Sequence, residues 1–362
     1  MRARGAGDPL TLRVLFVGPT RYDLPLAHGL ERKWAAIGDV LDYHVLARGN
    51  GDDARFRLAR NFYAGLPVRV RRAAGELRPD AIVAEDPRTA ALVLSGRTGV
   101  PVIAEVHGNW RHSTRLYGSS ARRVLSPAVD RLDEYGVRHA AAVRALSGYT
   151  AQLVEEARGR PPEAVFPTYS DLSAFTGTPL EPLPERTTAL FVGVLEPYKD
   201  VDGLAEAWRR AAQRVPDARL VVVGKGSRRS VVDGLVADGL AEHFPELPPE
   251  QVASKLDEAT VLVLPSRHEG LGRVVIEAFA RGRGVVATRA GGILDLVDDG
   301  EQGLLVDPED VGGLTDALVR VLSDRGLAER LGTAAHARFP EWHQTPEQFA
   351  SRMRALVETV LH

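Results

Sequence analysis

The chain has 362 residues, 44% of them hydrophobic and 26% charged, with no cysteine and a formal net charge of −2. That length suits two cores of roughly 150–200 residues better than one. The lack of cysteine excludes a disulfide scaffold, a thiolate metal centre and a thiol nucleophile, and the near-neutral total argues against a dedicated nucleic-acid binder.

The N-terminal MRARGAGDPL (1–10) is basic but has no apolar run, so it reads as a disordered tail and not as a signal peptide. No apolar stretch approaches the ~20 residues of a spanning helix; the expected location is cytoplasmic, with at most a peripheral membrane contact. Strands are then predicted at 12–18, 43–48, 81–85, 100–107, 142–147 and 164–167, with helices between them at 66–77, 87–97, 127–141 and 148–157. Several strands are apolar on both faces, as parallel strands covered by helices are. TYSDLSAFTGTPLEPLPERT (168–187) is rich in Pro, Thr and Ser and reads as a linker. The alternation restarts with strands at 188–195, 218–224, 260–265, 284–290 and 303–307, separated by helices. After Pro340 and Pro346 a last amphipathic helix carries Phe349, Met353, Leu356, Val357 and Val360 at helical spacing. The expected fold is α/β: two Rossmann-like doubly wound domains facing a cleft, over 1–170 and 188–340, with linker 171–187 and a returning segment 341–362.

Chemistry concentrates in the second half. In TVLVLPSRHEGLGRVVIEAFARGRG (260–284) a strand ends at Pro265, and Gly270, Leu271 and Gly272 lead into a helix whose N-terminus suits an anion. Glu269 precedes that turn. Glu277 lies on the helix among Val274, Val275, Ile276, Ala278 and Phe279; it is either a buried carboxylate awaiting hydroxyl partners or one on a solvent-facing stripe. Gly193 and Lys199 follow the first strand of this half. Gly224, Lys225 and Gly226 follow the second, with Ser227 expected to cap a helix opening at Arg228. The run is G-x-G-x-x-R, so the dinucleotide fingerprint is broken and a nicotinamide enzyme is disfavoured. Asp200 and Asp202 have D-x-D spacing but open a helix, and N-capping is the expected role, not a metal site. In the first half His107 ends a strand, where it suits sugar-hydroxyl hydrogen bonding or proton traffic, or is structural. Glu85 and Asp86 end another, with Asp86 expected as a cap.

FVGVLEPYKDVDGL (191–204), VVVGKG (221–226), LPSRHEGLGRVVIEAFARGRGVVATRAGG (264–292) and EQGLLVDPED (301–310) resemble the GT-B retaining glycosyltransferases of family 4, with EDPRTAAL, PVIAEVHG and VRALSGYT carrying the resemblance in the first half. It implies transfer of a hexose from a nucleotide-diphosphate sugar to a hydroxyl acceptor, lipid-linked or a small glycoside, with retention and with no metal or other cofactor. By position, Glu277 would bind ribose, Glu269 the donor sugar, Lys199 the diphosphate, and Gly270 to Gly272 the sugar and phosphate; His107 would lie beside the transferred sugar. The segment around Trp342 would cross back to the first domain. Two departures stand out. Val194 occupies the place of the family's usual Arg five residues before the Lys, leaving Arg228, Arg267 or Arg273 to compensate, and the first strand ends in VGPTRYD without a glycine-rich loop. A nucleotide-sugar epimerase or a non-transferring binder of the same fold is the alternative; a solute-binding protein would need export. Residues 1–170 hold 25 Lys and Arg against 18 Asp and Glu, with arginines bunched at Arg69, Arg71 and Arg72 and at Arg115, Arg122 and Arg123. Such bunches suit an anionic headgroup or phosphorylated acceptor, or are ordinary solvated helix faces.

Overall fold

The structure, a computed structural model, describes residues 12–50, 53–111 and 120–361. The expected tail at 1–10 and Arg115 fall outside them. The chain forms two compact units, one of Met1–Ser170 with Gln344–His362 and the other of Asp171–His343.

In the first unit seven parallel strands run β1 (Arg13–Asp23), β2 (Asp42–Asn50), β3 (Phe56–Ala59), β4 (Ala81–Ala84), β5 (Val102–Val106), β6 (Ala142–Ala145) and β7 (Ala164–Val165), in the spatial order 3-2-1-4-5-6-7. Alternate residues of β1 feed different layers: Val14 joins Trp34, Tyr43, Phe56 and Ile37 on one face, and Leu15 and Val17 join Leu66, Val70 and Trp110 on the other. Helices start where side chains can satisfy their orphan amides: Asp86 accepts from the Thr89 amide, and Ser147 and Thr150 form a reciprocal capping box. The helix Pro346–Glu358, capped in the same way by Thr345 and Gln348, buries Phe349, Met353, Leu356 and Val357 in the first of these layers.

The second unit has β8 (Thr188–Val192), β9 (Arg219–Val223), β10 (Ala241–Phe244), β11 (Val261–Leu264), β12 (Val285–Thr288) and β13 (Gly303–Val306), all parallel, in the order 10-9-8-11-12-13. Period-2 alternation again splits the strands. Phe191, Val222 and Val263 pack with Trp208 and Leu318, while Leu190, Val221, Val223, Leu262 and Leu264 pack with Phe279, Ile293 and Phe175. Each fully buried aliphatic or aromatic side chain contributes about 1.5–3 kcal/mol.

Two expectations are corrected here. Much of the stretch 171–187 belongs to the second unit: Leu172 and Phe175 are buried in its core, around the short helix Ser173–Thr176. Arg281, 1% exposed, bonds Asp257 and the carbonyls of Phe175, Thr178 and Pro179, and Arg283 bonds those of Glu181, Pro182, Leu256 and Asp257. Trp342 ends the helix Arg325–Trp342 and packs on the second unit's core, so the first unit regains the chain only at Gln344. Strands β3 and β10 were not foreseen.

Candidate functional site

In the second sheet the chain leaves β8 through β9 and β10 on one side and returns to β11 on the other. The carboxyl ends of β8 and β11 are therefore a topological switch point, where departing loops leave a crevice. A single 3-10 turn, Pro197–Lys199, lies on one loop. Lys199 forms an ion pair with Glu269 Oε1 on the other, and both side chains are nearly buried. Ser266 Oγ donates to the same Oε1 at 2.7 Å, and the Arg267 amide donates to the Tyr198 carbonyl at 2.8 Å, joining the loops. The Lys199 Nζ lies 5.4 Å from the centre of the Tyr198 ring. Lys199 and Glu269, read from the sequence as binders of different donor groups, thus hold one another in this structure.

The loops approach backbone to backbone. Gly224 has φ +151°, and a Cβ there would lie 1.8 Å from the Gly193 carbonyl oxygen. Gly272 has φ +89° and caps the helix Arg273–Ala280; a Cβ there would lie 2.6 Å from Ile293 Cδ1. Leu271 packs on the core layer beneath it, and the Gly292 amide donates to the Glu269 carbonyl at 3.0 Å. Gly270 lies between Glu269 and Leu271 on this loop.

Glu277 is 6% exposed, which removes the solvent-stripe reading. Arg273 Nε donates to its Oε1 at 2.7 Å. Burial pushes the Glu277 carboxyl above the ordinary range against the pull of Arg273.

Each arginine considered as a replacement at Val194 has a carboxylate partner: Arg228 lies 3.2 Å from Asp202, Arg267 lies 2.8 Å from Asp200 and 3.0 Å from Glu309, and Arg273 holds Glu277. Val194 itself is exposed. Two capping expectations fail for the same reason. Asp200 stands at the N-cap of Val201–Arg214 but its carboxylate goes to Arg267, with no capping bond. Ser227 bonds Glu196 instead of capping, and the helix Arg229–Ala237 starts two residues later. Lys225 pairs with Glu246 at an exposed position. Among the described residues no three His, Asp or Glu side chains converge as a metal site.

In the first unit His107 follows β5, and its Nδ1 lies 3.4 Å from Thr168 Oγ1. Two residues earlier Glu105 is buried and bonded to the buried Arg144 of β6. Burial alone would raise the Glu105 carboxyl, but Arg144 together with His107 and Lys33 holds it down to about 2. Glu85, at the β1–β4 switch point, accepts from the Thr20 amide at 3.1 Å and from the Thr20 hydroxyl. Arg69 bonds the Phe62 carbonyl, Arg72 shares Glu76 with Arg57, and Arg71 is exposed; the side chains of Arg122 and Arg123 fall outside the description. Ser266, Tyr198, Glu105, Arg144 and Thr168 were missed as site residues. Glu105 and Arg144 had a visible signal, each a charge inside an otherwise apolar strand.

Two doubly wound parallel-sheet units, the second with a nearly buried cation–carboxylate pair at its switch point, define a protein of the GT-B class. Residues 186–324 match the family model of glycosyl transferases group 1, and residues 14–168 match that of the glycosyl transferase 4-like domain. Together these take in most of the chain, which belongs to the GT-B glycosyltransferases. It is 28% identical over 261 residues to alpha-D-kanosaminyltransferase of Streptomyces kanamyceticus, covering 67% of each chain. It is 39% identical over 173 residues to D-inositol 3-phosphate glycosyltransferase of Acidothermus cellulolyticus, covering 44% of this chain and only 38% of that protein. Anabaena Alr3699/HepE, solved in complex with UDP-glucose, superposes with a TM-score of 0.71 at 19% identity, over 95% of this chain and 99% of that one. Among the described residues no helix is long and apolar enough to cross a membrane.

Proposed function

We propose that the protein moves a hexose from a nucleotide-diphosphate sugar to an acceptor hydroxyl with retention of anomeric configuration, without a metal. The observation that carries this is the meeting of Lys199 and Glu269 at the β8–β11 switch point, with Glu277 buried on the helix that follows. Ribose hydroxyls supply the hydrogen-bond donors that a buried Glu277 carboxylate needs. The donor diphosphate takes Lys199 from Glu269, which frees Glu269 Oε1 for sugar hydroxyls. As the bond from the sugar C1 to phosphate breaks, the electron pair leaves with the diphosphate. Lys199 and the backbone amides around Gly270 to Gly272 stabilise that charge where it develops. The acceptor oxygen bonds C1 on the face the phosphate leaves and passes its proton to the departing phosphate oxygen. His107 contacts the transferred sugar. Alr3699/HepE, seen with UDP-glucose, makes that donor the first to try. The acceptor belongs to the first unit, whose excess of cations suits a lipid-linked or phosphorylated one.

The test is nucleotide release from a panel of UDP-, GDP- and ADP-sugars, with and without hydroxyl acceptors. Release that requires an acceptor, and a glycoside product with the donor's anomeric configuration, is expected. Nucleotide release or sugar interconversion that is indifferent to every acceptor would replace transfer by an epimerase or binding reading. Full activity in excess chelator is expected; complete loss, restored by a divalent ion, would overturn the metal-free mechanism.

A further inference from the structure

We propose that Glu105 is a positioning residue for His107, acting through a polar cluster of Glu105, Arg144, Thr168 and His107 at the carboxyl end of β5. The inference rests on the reading that His107 contacts the donor sugar.

The cluster follows from strand geometry. Glu105 and His107 are two residues apart at the end of β5, so their side chains share one face. Arg144 is the registered partner of Glu105 on β6. Its guanidinium addresses one carboxylate oxygen only: Nε and Nη2 lie 2.9 and 2.8 Å from Glu105 Oε1. The other oxygen, Oε2, faces His107 Nε2 at 3.5 Å. Arg144 also donates to the Phe166 carbonyl at 2.8 Å and to Thr168 Oγ1 at 3.1 Å, and Thr168 Oγ1 lies 3.4 Å from His107 Nδ1. Both imidazole nitrogens are therefore addressed by groups that Arg144 itself holds.

Burial gives the cluster its stiffness. Arg144 is 0% exposed, and its guanidinium lies 4.8 Å from the centre of the Phe166 ring and 5.8 Å from that of Phe349, so the returning helix Pro346–Glu358 closes over it. A buried ion pair alone contributes little net stability, because desolvation offsets the Coulomb gain. Here the arrangement does more than neutralise charge: it leaves one carboxylate oxygen aimed at a ring that is one-third exposed. Nε2 is buried and makes no hydrogen bond among the described residues, so Glu105 Oε2 is placed to accept from it after a small closure. Fixing an imidazole in this way presets which edge meets a ligand, and an ångström of misplacement costs on the order of a hundredfold in rate.

The experiment is a double-mutant cycle on full-length protein with the donor that the nucleotide-sugar panel selects, UDP-glucose being tried first, using Glu105→Gln, Thr168→Val and His107→Ala. Glu105→Gln is expected to lower kcat by about ten- to a hundredfold while the donor KM changes less than about threefold, and Glu105→Asp is expected to recover part of the loss. The variant that combines Glu105→Gln with His107→Ala should match His107→Ala alone, because the two act as one unit. If the two losses add, Glu105 does not act through His107 and the positioning inference falls, while the reading of His107 stands. If His107→Ala keeps wild-type turnover, that reading falls and takes the inference with it. Should Glu105→Gln fail to fold, Thr168→Val carries the same cycle, with coupling to His107→Ala expected and additivity overturning the proposal.

Discussion

Glu277 combines a buried carboxylate with a single arginine that reaches one of its oxygens, and its raised pKa carries a sign. Between the ordinary carboxylate value and the raised one, the native state holds a proton that the unfolded chain has released. Its contribution to stability is thus full below the ordinary value and lost as pH rises through the raised one. Ribose hydroxyls donating to the carboxylate favour the charged form, so donor binding in mild acid should release a proton. Nucleotide affinity should fall as pH drops through the raised pKa, and Glu277→Gln should flatten that dependence and weaken binding about tenfold. Calorimetry in buffers of different ionisation heat checks this; equal affinity and no proton release anywhere in the mildly acidic range would reject the ribose role. Glu105 has the opposite sign. Held down to about 2 by Arg144, His107 and Lys33 against its own burial, it adds stability above the ordinary carboxylate value that is lost as pH falls towards 2. The stability gap between wild type and Glu105→Gln should shrink by roughly 3 kcal/mol across that window. A pH-independent gap in urea titrations would show that folding does not shift the Glu105 carboxyl. At Lys199 the expectation is catalytic: Lys199→Met should lower turnover by a hundredfold or more by removing a cation from the leaving group, and wild-type rates would sink that role.

At the scale of elements, the segment 171–187 shows where composition misleads. Pro179, Pro182 and Pro184 with their Thr and Ser neighbours do interrupt the strand–helix alternation. What composition cannot show is that Arg281 and Arg283, a hundred residues on, are buried and donate to the carbonyls that such a segment leaves unpaired. Both arginines stand in the AFARGRG run that was legible as a motif, yet their partners exist only once β11, β12 and the helix between them are folded. Replacing either arginine by Met leaves these carbonyls, and for Arg281 the Asp257 carboxylate, without a partner. The expected cost is about 3–5 kcal/mol, read as a lower urea midpoint and faster proteolysis between residues 171 and 187. Unchanged midpoints with an unchanged protease half-life would mean that the segment is held by Leu172 and Phe175 alone. The strands that sequence reading passed over, FRLA and AEHF, are four-residue edges with half-exposed positions, so neither alternation nor a continuous apolar run marks them.

For the whole chain, the parallel layers were legible because strands such as β4 and β11 are buried on both faces and read as unbroken apolar runs. The positions of Lys199, Glu269 and Glu277 were legible too, as polar residues at strand ends and inside an apolar helix. The pairing of Lys199 with Glu269 was not, since it depends on strand order: β8 and β11 are separated in sequence by two strands and adjacent in the sheet. That order bears on where a ligand is felt. Every donor-contacting group proposed for the nucleotide itself lies in the second unit, residues 171–343, on its loops or on the helix Arg273–Ala280. Nucleotide diphosphate without its sugar should therefore protect backbone amides of 193–200, 224–228, 265–277 and 289–293 from hydrogen exchange, and leave β1 to β7 at their unliganded rates. At a hundred times its Kd the ligand stabilises the state it binds by about 2.7 kcal/mol, an effect confined to the second unit if the two units unfold separately. Donor with its sugar should add protection at His107, Gly108 and Thr168 on the proposal that His107 contacts the sugar. Protection by nucleotide alone that centred on β1 and β4 would place the nucleotide at the other switch point, beside Glu85 and Thr20, and would exchange the donor and acceptor roles assigned to the two units.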